Sequence, residues 1–377
     1  MAAGDFAYSD AAASIASNWN KACPFAQSGD DRLMRDQIST SRPHEKSHRR
    51  YLARRRRRIL VGEVGRFLFS ASMLRQMQEY VRIAPVRREL VDEFGRPRGI
   101  KDVYLEVRSR CNSTCSFCLA SVHTDTRPDR SMSIELYRRI VSELKEAGAD
   151  GILSYHCMNE PLLHPQLAEF IRIATRELPR MSTRIITNGR KLTPATAKQL
   201  VEAGTSRIHI TAYMKDVREP LDAHFQRLLA EMPGYSGPTD PWSAQWTWGG
   251  TYFQLARQEL TEVRDNLGGL SPNAPELTGK YWGFCEFPFR SVFIDAEGKL
   301  GKCTWDFGFT DPVGHMANGK IEDEWRNGGL VPLREQLLRG DRSGLNHCNS
   351  CNFAGTCRRN TKRTLLQKVV SYLVPEH

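Results

Sequence analysis

The residues best suited to chemistry are cysteines, which occur ten times in the 377-residue chain. The first tight group is a C-x3-C-x2-C triplet made of Cys111, Cys115 and Cys118. The second group is Cys348-x2-Cys351-x5-Cys357, and it is preceded by Cys285 and Cys303. Thiolates at such short spacing repel one another unless a metal neutralises them. The spacing therefore predicts metal binding at both groups.

The first triplet could hold either zinc or iron. A closed zinc site needs four ligands. The nearest histidine along the chain, His123, lies five residues past Cys118 and belongs to no paired zinc motif. Three thiolates can instead bind three irons of a [4Fe–4S] cubane and leave the fourth iron open to a ligand with nitrogen and oxygen donors. An open iron is a catalytic arrangement rather than a structural one.

Strand-like and helix-like segments alternate around this triplet. Strands are predicted at residues 103–108, 151–156, 184–188 and 207–213. Helices between them are predicted at residues 131–148, 165–178 and 194–203. Residues 233–252 hold either a further strand around Gln245–Trp248 or an insertion. The alternation predicts a parallel sheet with right-handed crossovers, and the cysteine loop follows a strand end, where parallel α/β barrels carry chemistry.

Charge is unevenly distributed along the chain. The formal net charge is +11, and residues 1–101 hold 20 Lys and Arg against 11 Asp and Glu. This basic N-terminal extension peaks at Arg54–Arg58, a run that could bind nucleic acid or an anionic membrane, or form a solvated helix face or flexible arm. The sequence predicts a globular chain with neither a spanning helix nor a secretory signal, so the expected compartment is the cytoplasm.

With Phe117 just before its last cysteine, the triplet resembles the signature of radical S-adenosylmethionine (SAM) enzymes. The resemblance implies an α/β fold, a partial (β/α)6 barrel at residues 102–280, with Phe117 beside the cofactor. It also implies a [4Fe–4S] cluster whose open iron binds SAM, and a 5′-deoxyadenosyl radical that takes hydrogen from an unactivated substrate carbon. A flavodoxin or ferredoxin would donate the electron.

Four further residues match positions at which the family binds SAM. Glu160 lies in a Met-Asn-Glu-Pro segment that resembles the family's Gly-Gly-Glu-Pro contact to the SAM amino group, although the two glycines are replaced. Asn188, in Thr-Asn-Gly, resembles the contact to the SAM carboxylate or ribose, and His209 and Thr211 are candidates for the same pocket. The alternatives are a surface salt bridge for Glu160, a tight turn at Asn188 and a core histidine at His209.

The C-terminal cysteines resemble the SPASM/twitch extension of radical SAM enzymes, which carries auxiliary [4Fe–4S] clusters. The two-cluster version has one more cysteine where this chain has Thr361, so the resemblance is to a one-cluster twitch domain at residues 281–360, followed by a tail at 361–377. The implied ligands are Cys285, Cys303, Cys348 and Cys351. Cys357 is then a substitute ligand, a hydrogen donor or an inert thiol. For the whole C-terminal cysteine group, the alternative is a zinc ribbon.

Local patterns predict the elements around these cysteines. A β-hairpin from Val292 to Lys302 would deliver Cys303, and helices follow at residues 323–326 and 331–338.

A cluster with four protein thiolates has no open iron and suits electron transfer, which favours net oxidation. The one-cluster twitch form resembles dehydrogenases of aminocyclitols and aminoglycosides, so the expected reaction is oxidation of an alcohol on such a small molecule in natural-product biosynthesis. His156, Tyr213 and Lys215 lie near predicted strand ends and are candidates to assist proton loss.

Three other functions remain open at this level. The first is maturation of a ribosomal peptide by a crosslink, a thioether or an epimerised centre. The second is redox-neutral epimerisation of a sugar, with Cys357 or Cys157 as the hydrogen donor. The third is a zinc protein whose Arg54–Arg58 arm binds nucleic acid.

Overall fold

A nine-stranded sheet organises the computed structural model, which describes residues 87, 89–122, 125–260, 267–270 and 284–351. The described residues from 90 to 270 and from 285 to 351 belong to one compact unit, which is the part of the chain described below. The strands are β1 Asp102–Leu105, β2 Gly151–Ser154, β3 Met181–Thr187, β4 Arg207–Met214, β5 Ser243–Trp248, β6 Thr251–Glu259, β7 Ser291–Ile294, β8 Lys299–Gly301 and β9 Gly314–His315.

Six adjacent strands of this sheet are parallel. The spatial order is β5-β6-β4-β3-β2-β1-β7-β8-β9, and every neighbouring pair from β6 to β7 is parallel, whereas β5, β8 and β9 pair antiparallel. The predicted parallel α/β fold is thus confirmed. Residues 243–248 form a strand, which settles the ambiguity in that segment. Strand β1 is shorter than predicted and ends at Leu105 rather than Arg108.

The helices of the described residues are α1 Leu119–Val122, α2 Ile134–Glu146, α3 Leu167–Glu177, α4 Pro194–Glu202, α5 Ala223–Glu231, α6 Phe287–Arg290, α7 Ile321–Asn327 and α8 Leu330–Leu338. Helices α1 to α5 lie between successive strands from β1 to β5, α6 precedes β7, and α7 and α8 follow β9. Helix α2 begins three residues later than predicted because Ser133 caps it, accepting a hydrogen bond from Leu136 N at 3.1 Å. In the described ranges, no helix is both long and apolar enough to cross a membrane.

The two faces of the parallel sheet differ in chemistry. Side chains alternate along a strand, and one set, including Val103, Leu153 and Ile208, is apolar and fully buried. Burying each such side chain contributes roughly 1.5–3 kcal/mol. Helix α2 covers this face, since the hydroxyl of its Tyr137 lies 2.8 Å from that of Tyr155, just beyond β2. The opposite face, called the inner face below, carries polar side chains that include Ser154, Arg184 and His209.

The region of the predicted twitch domain shares the same sheet. Strand β7 pairs in parallel with β1, and β7 and β8 form the predicted hairpin ahead of Cys303. The hairpin turn is held by Asp295, whose Oδ1 accepts hydrogen bonds from the amides of Glu297 at 2.9 Å and Lys299 at 2.8 Å. Gly298 has φ +91°, a conformation that favours glycine. The predicted domain boundaries stay predictions.

Candidate functional site

The first cysteine group lies in the loop between β1 and α1. The amide of Cys118 donates to the carbonyl of Cys115 at 3.0 Å, which closes a turn within the triplet. Burial, together with the charges of Cys118 and Cys111, raises the pKa of Cys115 to about 12. Burial also raises the pKa of Cys111 and of Cys118. Three such thiols lie close enough to influence one another, and a bound metal would be needed to hold them all as thiolates.

The donor set of this loop fits an iron–sulfur cluster. Within the described ranges, no group of three or more His, Cys, Asp and Glu side chains is arranged around a single metal ion. The cysteines nonetheless affect one another's pKa, so they are neighbours. In a cubane cluster each thiolate binds a different iron. Neighbouring thiols can therefore hold such a cluster without converging on a single metal ion.

Asn188 and Glu160 link the ends of β2 and β3 to the cysteine loop. Asn188 Nδ2 lies 3.7 Å from Cys111 Sγ and donates to Asn112 Oδ1 at 2.9 Å. The Glu160 carboxylate accepts from Thr187 Oγ1 at 2.6 Å and from the amide of Asn188 at 2.8 Å. Burial raises the pKa of Glu160, although these hydrogen bonds oppose the shift. Glu160 therefore fixes Asn188, and Asn188 reaches the sulfur.

The structure tests the alternatives that the sequence left open for Glu160 and Asn188. The surface salt bridge is wrong for Glu160, because only 1% of it is exposed and its partners are a hydroxyl and backbone amides. For Asn188, the tight turn is present, since its Oδ1 accepts from the amide of Arg190 at 3.0 Å and Gly189 has φ +71°. The turn and the sulfur contact therefore coexist. Direct contact of either residue with SAM stays a prediction.

Phe117, Thr211 and Tyr213 lie close to one another beside the cysteine loop. The rings of Phe117 and Tyr213 are 5.5 Å apart, and Thr211 lies close enough to Tyr213 to lower its pKa. Burial raises the pKa of Tyr213, and the charges of Cys115 and Cys118 raise it further. Tyr213 is thus a neutral phenol beside the cysteine loop.

An ionic network that the sequence analysis missed anchors the loop from the other side. Arg127 Nη1 donates to Glu106 at 2.7 Å, and its Nη2 donates to Asp125 at 2.8 Å. Arg110 Nη1 joins the same Asp125 carboxylate at 3.0 Å. Burial raises the pKa of Glu106 to about 7, although Arg127 opposes the shift. The available signal was charge at every second position, in Glu106, Arg108 and Arg110 and again in Asp125, Arg127 and Asp129.

Deeper in the inner face, His156 and His209 lie beside Arg184. His156 Nδ1 is 2.7 Å from Ser154 Oγ, which also accepts from Arg184 Nε at 3.1 Å. Burial, with the charge of Arg184, lowers the pKa of both imidazoles, that of His209 to about 3. His209 Nε2 is shielded from solvent and has no hydrogen-bond partner in the described part of the chain, so it is not a satisfied core histidine. Lys215 is exposed beyond β4.

The four predicted auxiliary ligands also come together. The charges of Cys348, Cys285 and Cys351 all act on Cys303, whose pKa is raised mainly by burial. Burial likewise raises the pKa of Cys285 to about 12. The remaining predicted candidate, Cys357, lies outside the described residues.

Two cations accompany this second group of cysteines. Arg342 and Lys302 are buried and oppose the rise in the pKa of Cys348. Arg342 Nη1 donates to the carbonyl of Cys351 at 3.3 Å, and Lys302 pairs with Asp311. Four grouped thiols with cationic neighbours fit an anionic metal–thiolate centre.

Comparison with known proteins places this geometry in a class. Residues 105–213 match the sequence model of the radical SAM superfamily. The chain therefore carries a radical SAM domain, and the matched range begins at the end of β1 and includes the cysteine triplet, Glu160 and Asn188. It is a radical SAM enzyme, as the resemblance of the triplet predicted.

Individual relatives make the comparison more specific. The chain is 26% identical over 259 residues to an S-adenosyl-L-methionine-dependent 2-deoxy-scyllo-inosamine dehydrogenase of Niallia circulans, covering 66% of this chain and 92% of that protein. It is 30% identical over 123 residues to a GTP 3′,8-cyclase of Campylobacter jejuni, of which it spans only 37%. The crystal structure of BtrN in complex with AdoMet and 2-DOIA superposes with a TM-score of 0.56 at 24% identity, covering 67% of this chain and 93% of that one. This last similarity shows the shared fold.

Proposed function

We propose that this radical SAM enzyme oxidises an alcohol carbon of a small polyhydroxylated molecule of the aminocyclitol or aminoglycoside class. The observation that carries the proposal is the grouping of Cys285, Cys303, Cys348 and Cys351 in the same compact unit as the cysteine triplet. The similarity to a 2-deoxy-scyllo-inosamine dehydrogenase over 259 residues supports it.

The chain's own residues would hold two cofactor sites. Cys111, Cys115 and Cys118 would bind a [4Fe–4S] cluster, and the four later cysteines would bind a second one. With SAM bound and one electron supplied, the first site would provide a 5′-deoxyadenosyl radical able to take a hydrogen atom from a substrate carbon. The reducing electron would come from a flavodoxin or ferredoxin.

The residues around the triplet orient this chemistry. Asn188 donates toward Cys111 Sγ and stabilises negative charge on that sulfur. Glu160 holds Asn188 and Thr187 at the end of β3, so the SAM-binding edge is fixed before the cofactor binds. The rings of Phe117 and Tyr213 cover the loop beside Cys115 and exclude water from it.

Conversion of an alcohol to a ketone removes one hydrogen atom, one proton and one electron from the substrate. We assign the electron to the four-cysteine site, where Lys302 and Arg342 would stabilise added negative charge. His156 and Tyr213 are both partly buried, and burial favours the neutral form of each, because it lowers the pKa of His156 and raises that of Tyr213. Protonation of His156 would place a second cation beside Arg184. We therefore assign His156 and Tyr213 to substrate orientation rather than to proton removal.

The test is incubation of the reduced, anaerobically reconstituted full chain with SAM and 2-deoxy-scyllo-inosamine or related aminocyclitols. The proposal expects substrate-dependent 5′-deoxyadenosine together with a ketone at matching yield. A product of unchanged oxidation state would indicate epimerisation instead and would contradict the proposed dehydrogenation. Activity only on a peptide would indicate a maturase.

A further inference from the structure

A continuous row of buried aromatic rings joins the inner face of the sheet to the four-cysteine site. Tyr104 of β1 stacks on Phe293 of the neighbouring strand β7, with ring centres 4.7 Å apart and ring planes 12° from parallel. Phe293 contacts Phe287 of α6 at 5.5 Å between ring centres, and Phe287 contacts Trp305 at 5.7 Å. Each of these residues is at most 5% exposed. We call Tyr104, Phe293, Phe287 and Trp305 the aromatic bridge.

The first end of the aromatic bridge lies on the inner face. Tyr104 is opposite Ser154 in the β1–β2 pairing, and Arg184 Cζ is 5.7 Å from the centre of the Tyr104 ring. The ring of His156 is 5.6 Å from that of Tyr104. Since His156 is a residue that we assign to substrate orientation, this end of the bridge lies next to groups that would hold the substrate.

The second end of the aromatic bridge lies among the later cysteines. The backbone of Phe287 is close enough to the Cys285 thiol to oppose the rise in its pKa that burial causes. Trp305 lies two residues past Cys303, in a turn that is closed by a hydrogen bond from the Asp306 amide to the Cys303 carbonyl at 3.3 Å. Phe287 and Trp305 therefore flank two proposed ligands of the second metal centre.

Packing of this kind suits the passage of an electron. A tunnelling electron crosses most readily where atoms are in contact, and close-packed interiors contain few voids. Stacked and edge-to-face rings bring many atoms into contact. Burial raises the pKa of Tyr104 to about 12. Its phenol therefore keeps its proton, and the ring is a neutral medium rather than a redox centre.

We propose that the aromatic bridge carries the electron released by the substrate radical from the inner face to an iron–sulfur centre at the four-cysteine site. The inference rests on the proposed function, because it takes the reaction to be oxidation of an alcohol. The alcohol carbon gives a hydrogen atom to the 5′-deoxyadenosyl radical, which becomes 5′-deoxyadenosine. The carbon radical then loses its hydroxyl proton to solvent and one electron to the oxidised centre, and the C=O bond of the ketone forms. The four rings form and break no bond, so they act by positioning alone.

Removal of the middle ring tests the proposal. The reconstituted Phe293→Leu full chain, reduced and given SAM, is compared with the wild type on 2-deoxy-scyllo-inosamine or another aminocyclitol that the wild type oxidises. Leucine keeps the site apolar but breaks the contact between rings. We expect the ketone formed per 5′-deoxyadenosine to fall at least about threefold, and a carbon-radical signal to grow in rapidly frozen electron paramagnetic resonance samples. An unchanged ratio would overturn the proposal.

A phenylalanine on the opposite face of the sheet provides the matched control. Phe170 is as deeply buried as Phe293 and stacks on Tyr137 with ring centres 4.0 Å apart. Phe170→Leu should lower the melting temperature to a similar extent, while the ketone formed per 5′-deoxyadenosine stays at the wild-type value. An equal fall of that ratio in Phe170→Leu would show that general loosening of the fold is the cause, and it would contradict the proposal.

Variants of Tyr104 separate the ring from its hydroxyl and from damage to the second centre. Tyr104→Phe keeps the stack on Phe293, so it should form at least about threefold more ketone per 5′-deoxyadenosine than Tyr104→Leu. Tyr104 is not among the proposed metal ligands, so the iron content of both variants should match that of the wild type. Equal ratios in the two variants, or a lower ratio that appears only where iron is lost, would contradict the aromatic bridge.

The wild type distinguishes this inference from the proposed function. If the wild type forms 5′-deoxyadenosine but no ketone with any aminocyclitol, the dehydrogenation is wrong and the bridge has no electron to carry. If the wild type forms ketone and Phe293→Leu forms it at the same ratio to 5′-deoxyadenosine, the dehydrogenation stands and only the bridge is wrong.

Discussion

The two cysteine groups differ in ligand number and in the charge that surrounds them. The triplet Cys111, Cys115 and Cys118 has three thiols, and a neutral amide, that of Asn188, approaches its sulfur. The second group has four mutually interacting thiols beside the cations Lys302 and Arg342. A three-thiol site leaves an iron free for a ligand, whereas a four-thiol site with positive neighbours suits storage of an electron. This difference is the reason for proposing radical generation at the first site and electron acceptance at the second.

The largest effect is expected from the triple variant Cys111→Ser/Cys115→Ser/Cys118→Ser. Because it removes every thiolate at the site with an open iron, SAM cleavage should fall to background and iron should drop by about four per chain. The measurement is anaerobic iron analysis together with 5′-deoxyadenosine formation. Cys157→Ser, a cysteine outside both groups, is the control, and loss of activity there would instead favour a hydrogen-donor role.

The ionic network that anchors the triplet loop predicts the next effect. Arg127→Met leaves the buried carboxylate of Glu106 without its cation and removes one of the two arginines that pair with Asp125, which keeps Arg110. The free energy of unfolding of the full chain should fall by about 3–5 kcal/mol in urea titrations. The double variant Glu106→Gln/Arg127→Met should recover part of the loss. An Arg127→Met chain as stable as the wild type would show that the network does not hold the loop.

Cys303→Ser should separate the two sites functionally. Removing one of the four thiols should lower ketone formation by about tenfold to a hundredfold, while reductive cleavage of SAM continues, because the triplet is intact. The ratio of 5′-deoxyadenosine to ketone reports the effect. Equal loss of both activities would mean that the second group does not have a separate role.

The smallest effect is expected at the amide that approaches Cys111. Asn188→Ala removes a hydrogen bond worth about 1 kcal/mol, so the KM for SAM should rise about fivefold. Asn349→Ala, an exposed amide next to Cys348 in the second group, provides the matched control. A similar change in both variants would argue against a specific contact between Asn188 and the first site.

Local patterns were sufficient for much of the fold. Alternation and helical spacing predicted the strands and helices from residue 103 to 213, and the hairpin before Cys303 was also predicted. The contact between β7 and β1 was not predicted, because it joins segments almost 190 residues apart. The strand at 243–248 was left open because its tryptophans and nearby turn residues fit two interpretations.

The candidate site shows the same division between local and distant information. Cysteine spacing and the Thr-Asn-Gly segment identified groups that the structure brings together. The contact of Arg184 with Ser154 and the pairing of Glu106 with Arg127 join residues that are 30 and 21 positions apart in the sequence. Such contacts leave no periodic pattern in a single sequence. The structure also showed that Glu160 binds protein groups from β3, which its motif alone did not indicate.

The central claim is that the two cysteine groups hold different iron–sulfur centres, and that only the triplet binds SAM. The most direct test is iron analysis with electron paramagnetic resonance on reduced, oxygen-free protein, before and after SAM is added. The account predicts roughly eight irons per wild-type chain, one signal that changes with SAM, and a second that does not change and persists in the triple serine variant. Zinc in place of iron, or a SAM-dependent signal that survives in that variant, would contradict it.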